Sequence, residues 1–250
     1  MKIGVQLHPQ GTTAAELRDA WQRADALGVD SLWLWDHFYP LYGDPEASHF
    51  ECYALLAAMA STTSHATIGA LVTCNSYRNP QLLADMARTI DHLSDGRFVL
   101  GIGSGWFERD YTEYGYKFGT APERLRALGQ ALPVIKERLA KLNPPATGPM
   151  PIMIGGGGEK VTLRLVARHA QMWNGFGTPA ELKQKNAIID RWCAEESTDP
   201  AAIERTTLLS DPGALDIAAY EDAGINHIIL AIGPPFALDG VERVLQQVRG

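Results

Sequence analysis

Three short stretches carry residue types whose spacing suits chemistry. In PIMIGGGGEK, residues 151–160, an apolar run is followed by Gly155, Gly156, Gly157 and Gly158, then an acid and Lys160. Glycines after a strand let backbone N–H groups close around a phosphate, and they equally make a plain flexible turn. Two common nucleotide loops are excluded. Lys160 is followed by Val161 where a Walker loop needs Ser or Thr, and Lys160 itself stands where a dinucleotide fingerprint needs its third glycine. The second stretch is Asp36–His37, directly after the apolar run 31–35. His37 suits a hydrogen bond or proton transfer to a bound molecule, with Asp36 fixing its tautomer or holding loop backbone; the other reading is a structural aspartate beside a satisfied histidine. The third is GIGSGW, residues 101–106, where Gly101, Gly103 and Gly105 remove side chains so that a flat ring can lie against backbone. Trp106 then floors the pocket or plugs the end of the fold. Arg78 meets either an anionic group of a ligand or a surface carboxylate.

These residues need a scaffold that brings them to one place. Apolar or alternating runs recur at 3–7, 31–35, 67–74, 98–103, 151–155, 171–176, 206–210 and 227–232, with helix-like segments between them. Thr13 and Glu16 form a capping box, and Leu17, Trp21, Ala24 and Leu27 give an apolar face closed by Gly28. Thr178, Pro179 and Glu181 repeat that start signal. Further helices are expected over 51–63, 80–93, 121–141, 159–169, 212–223 and 239–249. Eight strand-then-helix units in 250 residues predict an α/β fold, a single (β/α)8 TIM barrel spanning 1–250. A doubly wound sheet is the runner-up, but LHPQGTT after the first strand is no phosphate turn. The Pro-rich 141–151 stretch reads as a connection within the domain.

A barrel of this type carries its site at the carboxyl ends of the strands. That rim offers Gln6, His8, Asp36, His37, residues 73–78, 101–108, 155–158 and 173–177, Ser210, and residues 232–234. The set is poor in carboxylates and lacks a His-x-His pair, a paired-Glu arrangement or a G-x-S-x-G elbow. Metal hydrolysis, glycoside hydrolysis and serine esterase chemistry are therefore disfavoured, and no metal is expected. Glycines, aromatics and a few hydrogen-bonding groups remain, the lining expected around a planar cofactor whose own chemistry dominates. The remaining histidines, at 49, 65, 92, 169 and 227, read as structural. With 22 basic and 29 acidic residues the formal net charge is −7, and no Lys/Arg-rich run points to nucleic acid or an anionic membrane. No 18-residue apolar run occurs, and MKIGVQLHPQ turns polar too early for a secretory signal. Cys52, Cys74 and Cys193 lack C-x-x-C spacing, which reads as a reduced cytoplasmic protein.

SLWLWDHF (31–38), IGALVTCNSYRNP (68–80), LSDGRFVLGIGSGWFERDYTEYGYKFG (93–119) and PIMIGGGGEKVTLRLVARHAQMWNGFGTP (151–179) together resemble the bacterial-luciferase-like oxidoreductases, in the branch using the deazaflavin coenzyme F420. The resemblance implies a (β/α)8 barrel, a deazaflavin or flavin at the strand ends, and a homodimer. It implies a non-prolyl cis peptide at Leu71–Val72 bulging against the ring, with Thr73 and Asn75 beside it. It also implies ring contacts from Gly103, Gly105 and Trp106, and a phosphate near Gly155–Gly158, with Lys160 and Arg164 near the cofactor's acidic tail. Two departures stand out: the part after Pro179 is compact, and Trp106 occupies the place of the acid found in the sugar-phosphate dehydrogenases of this group. The expected activity is hydride transfer between F420 and a small organic substrate, with His37 and Asp36 as the catalytic pair. The alternatives are an FMN-dependent monooxygenase and a carrier protein that binds the cofactor without turnover.

Overall fold

The computed structural model describes residues 1–210 and 215–250. Strands β1 (Lys2–Leu7), β2 (Ser31–Leu34), β3 (Thr67–Ala70), β4 (Thr73–Cys74), β5 (Phe98–Gly103), β6 (Ile152–Gly155), β7 (Met172–Gly175), β8 (Glu204–Leu209) and β9 (His227–Ile232) are all parallel. β3 and β4 are two pieces of one barrel strand, parted at Leu71–Val72, whose peptide is cis as the resemblance implies. β1 pairs with both β2 and β9, and β3 pairs with β5, so eight strand positions close a ring with no open edge.

Around the ring lie α1 (Ala14–Ala26), α2 (Cys52–Thr62), α3 (Pro80–Leu93), α4 (Glu108–Glu113), α5 (Ala121–Leu139), α6 (Thr162–His169), α7 (Pro179–Glu196), α8 (Ile217–Asp222) and α9 (Asp239–Arg249). Thr13 opens α1 as its sequence predicts: Thr13 Oγ1 accepts the Glu16 N–H at 3.2 Å and the Glu16 carboxylate takes the Thr13 N–H at 2.9 Å. The same reciprocal cap starts α5 at Thr120–Glu123 and α7 at Thr178–Glu181. Three expectations shift. The helix placed at 159–169 begins only at Thr162, because residues 156–161 form an irregular turn. The helix placed at 212–223 is described only as α8, since 211–214 lie outside the described residues. The six-residue α4 is additional.

Alternation along each strand divides the core in two. On β2, Leu32 and Leu34 face the helices while Trp33 faces the barrel interior; on β5, Phe98, Leu100 and Ile102 face outward and Val99 inward. Trp33, Leu71, Val99, Met153, Met172 and Ile229 fill the interior. Each such side chain buried contributes about 1.5–3 kcal/mol.

Below that layer, at the amino ends of the strands, a buried polar chain closes the barrel. Trp33 Nε1 donates to Ser31 Oγ at 2.7 Å, Ser31 Oγ lies 2.8 Å from His227 Nε2, and His227 Nδ1 lies 2.7 Å from Glu204 Oε1. Glu204 also pairs with Lys2 Nζ at 2.7 Å. A carboxylate only accepts, so His227 donates from Nδ1, and its Nε2 accepts a hydrogen bond from the Ser31 hydroxyl.

Candidate active site

Opposite that closed end, the carboxyl ends of the strands surround a cavity of about 350 Å³. His37 and Trp35 reach it from the end of β2, Val72 to Cys74 from the β3–β4 strand, and Gly103 to Trp106 from β5. Gly155 and Gly156 follow from β6, Asn174 and Phe176 from β7, and Gln6 and His8 from β1. Leu41 and Tyr42 complete the mouth.

His37 is the best-defined group. Its Nδ1 lies 2.7 Å from Asp110 Oδ2, on α4. Asp110 is fully buried, and its Oδ1 accepts the N–H groups of Phe38 and Tyr39, both at 3.1 Å, while Tyr77 donates its hydroxyl to Oδ2 at 2.8 Å. Burial raises the Tyr77 hydroxyl far above its ordinary pKa, keeping it a donor. Four donors around one carboxylate hold it as an acceptor, so His37 carries its proton on Nδ1 and turns Nε2 to the cavity. Phe107 and Trp106 stand edge-on to the imidazole at 5.5 and 5.7 Å between centroids.

Asp36 does not orient His37, and that expectation is corrected. Its carboxylate takes both arms of the Arg78 guanidinium, at 2.7 and 3.0 Å, and the Cys74 N–H at 3.0 Å. Burial pulls the Asp36 carboxyl upward in pKa and the Arg78 charge opposes it. Arg78 also pairs with the exposed Glu51 and lies 4.2 Å over the Tyr53 ring, so it is held between a buried and a surface carboxylate, the second of the readings its sequence offered. Asp36 therefore fastens loop backbone, the other reading its sequence left open. Asp110 was missed because it lies 73 residues from His37; its only sequence signal was an acid just after a strand, inside the block carrying the family resemblance.

The glycines have a different immediate cause from the one expected. A Cβ at Gly101 would collide with the Ala70 carbonyl oxygen, and one at Gly103 would fall 2.8 Å from Val72 Cγ2. They make room first for the β3–β4 bulge, which itself forms the cavity wall. Gln6 braces the same bulge, donating from Nε2 to the Leu71 carbonyl at 2.8 Å, and Thr73 is fixed by the Tyr53 hydroxyl at 2.8 Å. Gly105, at φ +81°, leaves space for the Tyr111 hydroxyl. Trp106 is neither floor nor plug: it stands at the mouth, 63% exposed.

Of the glycine run, Gly155 and Gly156 line the cavity, whereas Gly157, Gly158 and Lys160 are exposed beside it. The Gly156 N–H is already given to the Asn174 carbonyl at 3.1 Å. Among the described residues no protein group accepts from the N–H of Gly157 or Gly158. Asn75 does not line the cavity; its backbone N–H donates to the Gly103 carbonyl at 3.0 Å. Arg164 is committed to Glu196 at 2.6 Å. Asn174 is buried, gives Nδ2 to Thr206 Oγ1 at 2.9 Å, and has an Oδ1 without a protein partner. Stacked on Trp35 at 4.3 Å, His8 is held to about 4 by burial and is neutral near pH 7. Among the described residues no group of three or more His, Cys, Asp or Glu is placed to hold a metal, and no helix is long and apolar enough to cross a membrane.

The family model described as luciferase-like monooxygenase matches residues 1–210. The chain belongs to that family. Within it, an F420-dependent glucose-6-phosphate dehydrogenase of Amycolatopsis mediterranei is 30% identical over 139 residues, 55% of this chain and 41% of that relative. The chain spans about half or less of the length of the curated dehydrogenases it matches, 41%, 52% and 40%. An uncharacterized protein of Mycobacterium tuberculosis is 26% identical over 247 residues, covering 86% of this luciferase-like chain and 84% of its own. Among solved structures, an F420-dependent secondary alcohol dehydrogenase in complex with an F420–acetone adduct superposes with a TM-score of 0.88 at 19% identity, over 100% of this chain and 99% of that one.

Proposed function

We propose that this luciferase-like protein is an F420-dependent oxidoreductase acting on a small organic substrate. The observation that carries the reading is His37: an imidazole locked by Asp110 aims one nitrogen into a cavity walled by backbone, glycine and apolar groups. The kinship with F420-dependent dehydrogenases supports it.

The site fits such a cofactor on four counts. Val72, Gly103 and Gly105 offer a wall for a planar ring, and the lone Asn174 Oδ1 offers a hydrogen-bond partner for its polar edge. The free N–H groups of Gly157 and Gly158 suit a phosphate, and exposed Lys160 suits an acidic tail. When bound, the deazaflavin would supply hydride transfer with little oxygen reactivity. The protein's own part is to exclude water, orient the substrate and move a proton at His37 Nε2.

Titration of the apoprotein with F420 and with FMN, followed by fluorescence, tests this. Saturable F420 binding with weaker FMN binding is expected. FMN binding without F420 binding would transfer the protein to the monooxygenase reading.

A further inference from the structure

The mouth of the cavity is aromatic and, among the described residues, no lysine or arginine lines it. Tyr42, Phe176 and Trp106 are 65%, 62% and 63% exposed there, an uncommon display of large apolar side chains around one opening. Leu41 and Leu208 continue the apolar wall.

Each arginine in the surrounding loops is already used. Arg78 is paired with Asp36, and Arg109 with Glu46 while stacking 3.9 Å over the Tyr39 ring. Arg124 donates to the carbonyls of Gly105, Phe118 and Gly119 at 3.0–3.1 Å. Lys185 pairs with Glu159 at 2.7 Å, and Lys160 lies on the glycine loop outside the cavity. Residues 211–214, DPGA, add no basic side chain. A phosphate or carboxylate on the substrate would lose water here and gain no fixed positive partner.

We propose that the substrate is an uncharged carbonyl compound bearing an aromatic or similarly flat apolar group, or the alcohol it yields, held at the mouth by Trp106 and Phe176. The inference rests on the oxidoreductase reading above. In the reducing direction the reduced deazaflavin would supply a hydride to the carbonyl carbon, and the C=O pair would move to oxygen. A solvent proton relayed through His37 Nε2 would reach that oxygen, so the ketone would become an alcohol and the deazaflavin would be oxidised by two electrons. Phosphorylated sugars are excluded, in contrast to the substrate named for the curated dehydrogenases.

The test compares acetophenone, 4-acetylbenzoate (the same skeleton with a carboxylate) and glucose 6-phosphate. Binding to apoprotein and to F420-loaded protein is read by tryptophan fluorescence; turnover is read by reoxidation of reduced F420 for the ketones and by reduction of oxidised F420 for the sugar phosphate. Acetophenone is expected to exceed 4-acetylbenzoate in kcat/KM by about 100-fold, with no turnover of the sugar phosphate. Trp106→Ala should raise the KM for acetophenone about tenfold and leave the F420 Kd within about twofold. If F420 binds but either charged compound serves as well as acetophenone, or acetophenone fails to bind, the substrate inference falls while the cofactor reading stands. An unchanged KM in Trp106→Ala would likewise overturn it. Absence of F420 binding would overturn both.

Discussion

Asp110 does two jobs with its two oxygens, and an amide can keep only one of them. In Asp110→Asn the Oδ1 atom still accepts the Phe38 and Tyr39 N–H groups, while the new NH2 cannot accept from His37 Nδ1 or Tyr77. The fold and the F420 Kd should hold within about twofold, and kcat should fall about 100-fold, the usual scale for a misdirected general acid or base. A loss below about threefold in steady-state turnover would remove the pair from the chemistry. His37 was legible because its type and its place after a strand suffice to mark it. Asp110 was not, because a contact across 73 residues leaves no trace in local spacing. Asp36 shows the converse: adjacency to His37 suggested a partnership, but neighbouring residues here point to different partners, one to Arg78 and one to Asp110.

At the scale of elements, local rules were legible and close approaches were not. The caps of α1 and α7 could be named from Thr-x-x-Glu because that chemistry lies within four residues. The late start of α6 follows from four successive glycines, which carry little helix propensity past Gly158. What no pattern reveals is that β5 needs glycine because a neighbouring strand bulges into it. Gly101→Ala would drive a Cβ against the Ala70 carbonyl, with backbone on both sides and nothing flexible to yield. It should destabilise the barrel by on the order of 3 kcal/mol, read as a lower urea midpoint. Gly157→Val is the useful contrast. Its added Cβ meets only Lys185 Cε, at 3.8 Å, so the urea midpoint should not move. If the loop holds a phosphate, the same change should raise the F420 Kd about tenfold, one charge-assisted hydrogen bond's worth.

The whole molecule was the most legible level, since eight repeats of strand and helix leave few ways to close a ring. Its acid sensitivity belongs to this scale. Burial holds both His8 and His49 at about 4, against 6.5 when free. Between those values the unfolded chain binds protons that the folded one refuses, so stability that is full above about pH 6.5 drains as the pH falls towards 4. Burial works against the charge on Glu204, but hydrogen bonds from His227 and Lys2 hold it at about 2, which extends the loss below about pH 4.5. Urea midpoints should fall steadily from pH 7 to 4.5, and His49→Gln should flatten that slope by about 1–3 kcal/mol. The buried chain at the amino ends of the strands has one more consequence. His227 with Glu204 repeats, at the sealed end, the imidazole–carboxylate unit that His37 and Asp110 form at the open end. Nature has thus built an internal control into a single chain: Glu204→Gln should lower the urea midpoint and spare kcat, the mirror image of Asp110→Asn. An imidazole–carboxylate pair would thus serve as keystone where it is sealed in and, on the function proposed above, as catalyst where a third molecule can reach it.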